Sequence, residues 1–303
     1  MNKTAIESMN YRPIRTSTVL SGESVKTISV APPPDLAPYV MDFWEYTVDP
    51  KVDYLPVQVF PNGCLSIRFN IKPHDVESII YGPSTCNNMK GLFFSDWTIF
   101  GAALWPARSY QLLGLSLQEV RDLRIHLDCI FPKQSTILCE KMREATDMSM
   151  RISVLSEFLR ATLRDKEPEA DFLNAYKKLV SEAPLYSDVR EITRATQTSD
   201  RHLRRHFHKY LGLGPKETHR LIKVQYALKL LSADPTRNLT NLAFDLGFSD
   251  QAHFGRSFKH IVGVTPKRFS TLVGCMQDLS HDIWSDLDPN WKDRPTPKVI
   301  RFQ

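Results

Sequence analysis

The sequence predicts an α+β protein: a strand-rich N-terminal half that ends in helices, then an all-α C-terminal part of two helix-turn-helix units joined by a long helix. Three observations carry this. Residues 43–105 are rich in aromatic and β-branched side chains and are punctuated by turn signals. From about 107 to 181 the apolar positions recur at helical spacing. Residues 202–216 then return, slightly altered, as 253–267.

The elements follow in chain order. Residues 1–30 are polar and weakly patterned, which predicts a loose arm. APPPDL at 31–36 is stiff, because proline fixes φ and removes a donor. In YLPVQVFPNGCLSIRFNI (54–71), Pro61-Asn62-Gly63 separates two apolar runs, which predicts a hairpin. Further turns are signalled at Tyr81-Gly82-Pro83 and Asn87-Asn88, and WTIFGAALW (97–105) predicts one or two more strands. The aromatic stripe reads as a β core, with a ligand pocket inside that core as the alternative. Asp42, Glu45 and Asp49 near Trp44 read as solvated acids on a strand rather than as a carbohydrate site.

Ser116 stands three residues before Glu119, the pattern of a capping box, and predicts a helix start. MRISVLSEFLRATLRD (150–165) has apolar residues at 152, 154, 155, 158, 159 and 163, a helical stripe. RDKEPEAD (164–171) is a linker or the start of another helix. The expected divisions are an arm at 1–30, an N-terminal domain at 31–175, a C-terminal domain at 176–275 and a tail at 276–303.

The repeat is the strongest signal. At an offset of 51, His202 meets His253, Arg205 meets Arg256, Phe207 meets Phe258, Gly212 meets Gly263, and Pro215-Lys216 meets Pro266-Lys267. Upstream the offset is 50, pairing Val189, Ile192 and Ser199 with Leu239, Leu242 and Ser249. Each copy reads as helix, short turn, helix. In the second, Leu239, Leu242, Ala243 and Leu246 form one face and Gly247 ends it as a left-handed cap. Ser249 is the expected N-cap of a helix that buries Phe254, Phe258, Ile261 and Val262. In the first, Thr196-Gln197-Thr198 is the turn, Ser199 the N-cap, and Leu203, Phe207, Tyr210 and Leu211 the buried stripe. THRLIKVQYALKLLSAD (218–234) makes one long helix between the units.

Charge segregates with the repeat. Residues 188–268 hold 15 Lys/Arg against 7 Asp/Glu, a net of +8, leaving 24 basic and 27 acidic residues elsewhere. Segregated positive charge points to a polyanion, or to a merely solvated face. The second helix of such a unit fits a DNA major groove. On the polar faces, Arg201 and Arg204 suit two-point bonding to guanine and Gln251 suits adenine, while Ala252 suits a thymine methyl. His253 lies at the edge. Arg205 and Arg256 occupy one repeat position and are open to base, phosphate or salt-bridge roles.

His202 and His206 have the i, i+4 spacing of zinc ligands, but no third ligand stands nearby in the sequence, so they read as packed or facing solvent or DNA. Neither a metal nor a cofactor is expected. The sequence contains no GxSxG, GxGxxG, HExxH or Walker loop, so no enzyme is expected either. Five scattered cysteines without a CxxC fit a reducing cytoplasm. The N-terminus lacks the apolar core of a signal peptide, and no run approaches a membrane span.

Residues 185–270 resemble the AraC/XylS family of bacterial regulators, above all through LAFDLGFSDQAHFGRSFKHIVGVTPKRF (242–269). The resemblance implies two units docked on adjacent major grooves of double-stranded DNA. By position, Arg201, Arg204 and Arg205 in the first unit, and Gln251, Ala252, His253 and Arg256 in the second, would face bases. It also implies a cytoplasmic transcription activator that contacts RNA polymerase. PDLAPYVMDFWEY (34–46), FPNGCLSIRFN (60–70), YGPS (81–84) and PARSYQLLGLSLQEV (106–120) resemble a sensory domain class found before such halves. That likeness implies a β-barrel or cupin-like fold with helices, which takes a small-molecule effector or provides homodimer contacts.

Overall fold

The computed structural model describes residues 25–86, 89–164, 167–181 and 199–274. Residues 1–24, the expected turns at 87–88 and 196–198, the positions Val189 and Ile192, and the tail at 276–303 lie outside the described residues. The class is α+β, as the patterning predicts.

The N-terminal half is antiparallel throughout. Strands β1 (Val25–Val30), β2 (Val40–Val48), β4 (Leu65–Ile71), β5 (Val76–Tyr81), β7 (Thr98–Leu104) and β8 (Arg124–His126) form one sheet in the order β1-β2-β7-β4-β5-β8. β3 (Tyr54–Val59) and β6 (Met89–Phe94) form a separate ribbon. Two expectations change here. The end of the presumed loose arm is β1, paired from Val25↔Val48 to Val30↔Phe43. An edge strand stays half exposed, so polar residues such as Lys26 and Ser29 suit it and mask it in the sequence. Pro61-Asn62-Gly63 does make a turn, with Asn62 Oδ1 accepting from the Cys64 N–H at 3.0 Å and Gly63 at φ +73°. It does not close a hairpin, because β3 pairs with β6 and β4 pairs with β5 and β7.

The helices are α1 (Ser109–Leu113), α2 (Pro132–Glu144), α3 (Met148–Thr162), α4 (Ala170–Ser181), α5 (Asp200–Leu211), α6 (Pro215–Ala233), α7 (Leu239–Asp245), α8 (Gln251–Val262) and α9 (Pro266–Gly274). Ser116 starts no helix. The Glu119 N–H donates to the Ser116 carbonyl in a turn, and Asp122 at φ +58° reverses the chain into β8. The Asp122 carboxylate is held there by the Thr85 N–H and hydroxyl, each at 2.7 Å.

β2 is buried on both faces, so its residues read as a continuous apolar run rather than an alternation. Phe43, Phe69 and Phe100 pack with Leu138 and Met142 of α2 and with Leu155, Phe158 and Leu159 of α3. Trp44, Tyr46 and Ile99 pack with Phe93 of the ribbon on the other side. Glu45 crosses to α3 and accepts from Arg151 at 2.7 Å, and Arg151 also donates to the Ala145 carbonyl at 3.1 Å. Asp42 and Glu45 are thus buried rather than solvated, and neither is placed to meet a sugar. A polar cleft of about 320 Å³ lies at the sheet edge, lined among others by Glu77, Ser78, His126, Asp128 and Cys139.

A second core gathers α4 to α9. Phe172, Ala175 and Leu179 place α4 wholly in it, across the expected division at 175/176. Phe60 and Ala107 from the N-terminal half complete the same cluster. Among the described residues, no helix is long and apolar enough to cross a membrane.

Candidate nucleic-acid interface

Helices α5 and α8 are the same length and lie 51 residues apart from end to end. Ser199 caps α5, its Oγ accepting from the His202 N–H at 3.3 Å. α8 is capped by Asp250, which accepts from the His253 N–H at 2.6 Å. That bond, with the Ser249 hydroxyl, holds the Asp250 carboxyl below the usual range. Ser249, the expected cap, is displaced: its Oγ donates to Asp250 Oδ2 at 3.0 Å. Both helices are preceded by or begin with Ser-Asp, and both residue types cap well. The first copy caps with the serine and the second with the aspartate, so the 51-residue register extends to the caps and the slip lies upstream. Both helices end at a left-handed glycine, Gly212 at φ +72° and Gly263 at φ +91°. Pro215 and Pro266 then open α6 and α9, the first helical turn being where a missing N–H costs nothing.

The buried stripes are those the periodicity predicts: Leu203, Phe207, Tyr210 and Leu211 in α5, and Phe254, Phe258, Ile261 and Val262 in α8. Arg201, Arg204, Arg205, Gln251, Ala252, His253 and Arg256 are all exposed. Three of the seven make side-chain hydrogen-bond contacts within the protein, and Arg256 acts electrostatically on Asp250. Arg205 lies 2.8 Å from His202 Nδ1. Gln251 Oε1 accepts from the Thr240 hydroxyl of α7 at 2.8 Å. His253 Nδ1 lies 3.1 Å from Ser249 Oγ, and its ring stands edge-on to Phe248.

The turn from α7 to α8 is a Schellman motif. The Phe248 N–H reaches the Ala243 carbonyl, the Gly247 N–H reaches Phe244, and Gly247 takes φ +63° as predicted. Lys223 of α6 donates to the Gly247 carbonyl at 2.8 Å and lies over the Phe248 ring, and burial lowers its pKa. The long helix thereby fixes the angle between the two helices of the unit. The expected first helix of the first unit lies outside the described residues.

Residues 192–271 match a family model described as a helix-turn-helix domain. This region is an AraC-type helix-turn-helix domain. Residues 28–126 match a family described as a domain of unknown function, DUF6597. Over 85 residues the chain is 36% identical to the HTH-type transcriptional regulator GlxA of Rhizobium meliloti (strain 1021), covering 28% of this chain. The match spans about a quarter, 25%, of that relative's length. Among solved structures, ToxT from Vibrio cholerae is similar at 14% identity and a TM-score of 0.40, covering 82% of this chain and 99% of that one. A transcriptional regulator with an AraC-type DNA-binding domain from Chromobacterium violaceum is similar at 20% identity and a TM-score of 0.31, covering 36% of this chain and 95% of that one.

The AraC-type domain is bound to the N-terminal half through its first unit. The Leu117 N–H donates to the Lys209 carbonyl of α5 at 2.9 Å. Tyr110 meets Tyr210 edge to face. Arg121 donates to both Glu217 oxygens at 2.8 and 3.2 Å and to the Gly212 carbonyl at 3.4 Å. Burial raises the Glu217 pKa, but Arg121 and the Gly214 N–H outweigh it and hold the carboxyl below its ordinary value. Gln225, buried in the middle of α6, donates to the Pro61 carbonyl. Phe60 packs edge-on to Phe269 of α9.

These joining residues escaped the sequence reading, although Gln225 left a trace as a polar residue within the apolar face of a helix. The third group that seemed missing beside His202 and His206 is also present. Asp171 of α4 brings its oxygens to 3.5 Å from His202 Nε2 and 3.4 Å from His206 Nδ1.

Proposed function

We propose that this chain is a sequence-specific DNA-binding transcription regulator that reads two successive major grooves with α5 and α8. One observation carries the reading. All seven candidate side chains stand exposed on α5 and α8, two helices of equal length in the 51-residue repeat, within the part of the chain that holds the excess positive charge. Arg201 and Arg204, and Gln251 with Ala252, are the base readers; Arg205 and Arg256 contact bases or phosphates. The 19-residue α6 is about 28 Å long at 1.5 Å per residue, while grooves on one DNA face recur every ~34 Å. That length suits two readers on one site without a second copy. The N-terminal half is the regulatory part, responding to a small-molecule effector or pairing with a second copy. Its contacts with the first unit favour that role. Activation by contact with RNA polymerase, in the cytoplasm, follows from the family resemblance.

The test is selection of bound genomic fragments, followed by fluorescence anisotropy at graded salt. Phosphate contacts predict a steep fall in affinity as salt rises. Arg201→Ala and Gln251→Ala should each cost ~1–3 kcal/mol and relax the preference at particular base pairs. Equal weakening on every sequence would remove these two residues from base reading. Absence of both selected sequences and salt dependence would overturn the proposal.

A further inference from the structure

We propose that Asp171, His202 and His206 form a site for one divalent transition-metal ion of the class that takes imidazole and carboxylate ligands together. The three residues come from two helices, α4 and α5, and one ligand atom of each lies within 4.8 Å of the others. Asp171 Oδ2 lies 3.5 Å from His202 Nε2 and Asp171 Oδ1 lies 3.4 Å from His206 Nδ1, one carboxylate oxygen to each imidazole. An ion bound tetrahedrally at ~2.0–2.1 Å from its ligands keeps those ligands roughly 3.4 Å apart.

A second observation points to a ligand. His206 is 3% exposed, and its Nδ1, directed at the carboxylate, is buried and makes no hydrogen bond. A buried imidazole nitrogen left in that state is costly, and coordination would satisfy it. His202 is the more open of the two histidines and leaves a side from which an ion and a completing water can enter. Two nitrogens and one oxygen suit Zn²⁺, Co²⁺ or Ni²⁺ rather than Mg²⁺ or Ca²⁺.

The ion would alter the reading face. A guanidinium only donates, so with Arg205 at 2.8 Å the Nδ1 of a neutral His202 is an acceptor and its proton sits on Nε2. Coordination through Nε2 needs that proton on Nδ1, which then cannot accept from Arg205. Metal binding therefore detaches Arg205 from His202 and leaves it free to meet DNA, while α4 is clamped to α5.

The probe is Co²⁺ added to the full chain, followed by visible absorption and displaced by Zn²⁺, with no DNA present. One equivalent per chain is expected, with the spectrum of a low-coordinate site and a melting temperature raised by Zn²⁺. His202→Gln is expected to keep the fold, because the ring is half exposed, and to weaken Co²⁺ binding by roughly tenfold or more. Asp171→Asn and His206→Gln should do the same, with circular dichroism confirming the fold of each variant. No saturable uptake, or uptake of equal affinity in folded His202→Gln, would overturn the proposal. DNA affinity is measured separately, so a failure here leaves the DNA-binding reading standing, and the reverse holds as well.

Discussion

Helix α5 is gripped from both sides, by Phe172 of α4 at 4.8 Å from the Tyr210 ring and by Tyr110 of the N-terminal half at 5.0 Å from it. Helix α8 has the same length and the same glycine end, yet it packs on α6, α7 and α9. Helix α5 is thus part of the junction between the two halves, and α8 is tied to that junction through α6 and α9. The N-terminal half touches α5 directly and reaches α8 through α6 and through Phe60 on Phe269 of α9. The two copies of one motif thus differ in their surroundings, one packed against the N-terminal half and the other held by its own turn.

Paired substitutions would test that asymmetry. The largest effect is expected at Gly212. An alanine there must adopt φ +72° and would set its Cβ 2.8 Å from the Leu117 carbonyl oxygen. Gly212→Ala should cost about 2–4 kcal/mol in chemical denaturation, against about 1 kcal/mol for the left-handed backbone alone at Gly263→Ala (φ +91°). Equal costs would mean that the close approach at Gly212 yields easily.

Next is Gln225. Replacing it with leucine leaves the Pro61 carbonyl without its donor and should cost roughly 1–3 kcal/mol. Thr240→Val, which removes the exposed bond to Gln251, should stay within about 0.5 kcal/mol. A smaller loss at Gln225 than at Thr240 would reverse the comparison.

The Arg121–Glu217 pair gives a pH signature. The Glu217 carboxyl is held below its ordinary value of 4.5 in the folded state, so its stabilisation is complete above that pH and is lost as pH falls through the folded value. Wild type and Glu217→Gln should differ by about 1 kcal/mol near neutrality and converge in acid. Parallel stability curves down to low pH would count against the clasp.

The smallest effect is at Gly255 in mid-α8, where an added Cβ would meet nothing within 4 Å. Gly255→Ala should raise stability by roughly 0.5–1 kcal/mol, because glycine is a poor helix former. If the helix backbone approaches DNA closely there, the same change weakens binding, and anisotropy would show it.

Much of this was legible in the sequence wherever a short-range rule applied. The stripes Leu203–Phe207–Tyr210 and Phe254–Phe258–Ile261 follow from helical periodicity, and Gly247 from cap chemistry. The seven exposed side chains follow by subtraction. What was hidden depended on distant partners. The ribbon pairing of β3 with β6 could not be read from the turn at 61–63, because turn residues specify a reversal and not a partner. Asp171 was invisible as a neighbour of His202 because it lies on another helix. The choice of Asp250 over Ser249 as cap was hidden for a different reason: both types cap well, and only side-chain geometry decides between them.

The seating of Phe60 and Pro61 on α6 and α9 bears on how the molecule can be taken apart. A fragment beginning near α4 would lose the ring against Phe269 and the Pro61 acceptor of Gln225, exposing apolar surface on α9. Residues of the N-terminal half are therefore part of what covers the C-terminal core. A chimera that grafts another N-terminal half onto it would need to rebuild the 60–63 loop and the 106–121 segment, or it would expose a sticky surface in place of the native joint.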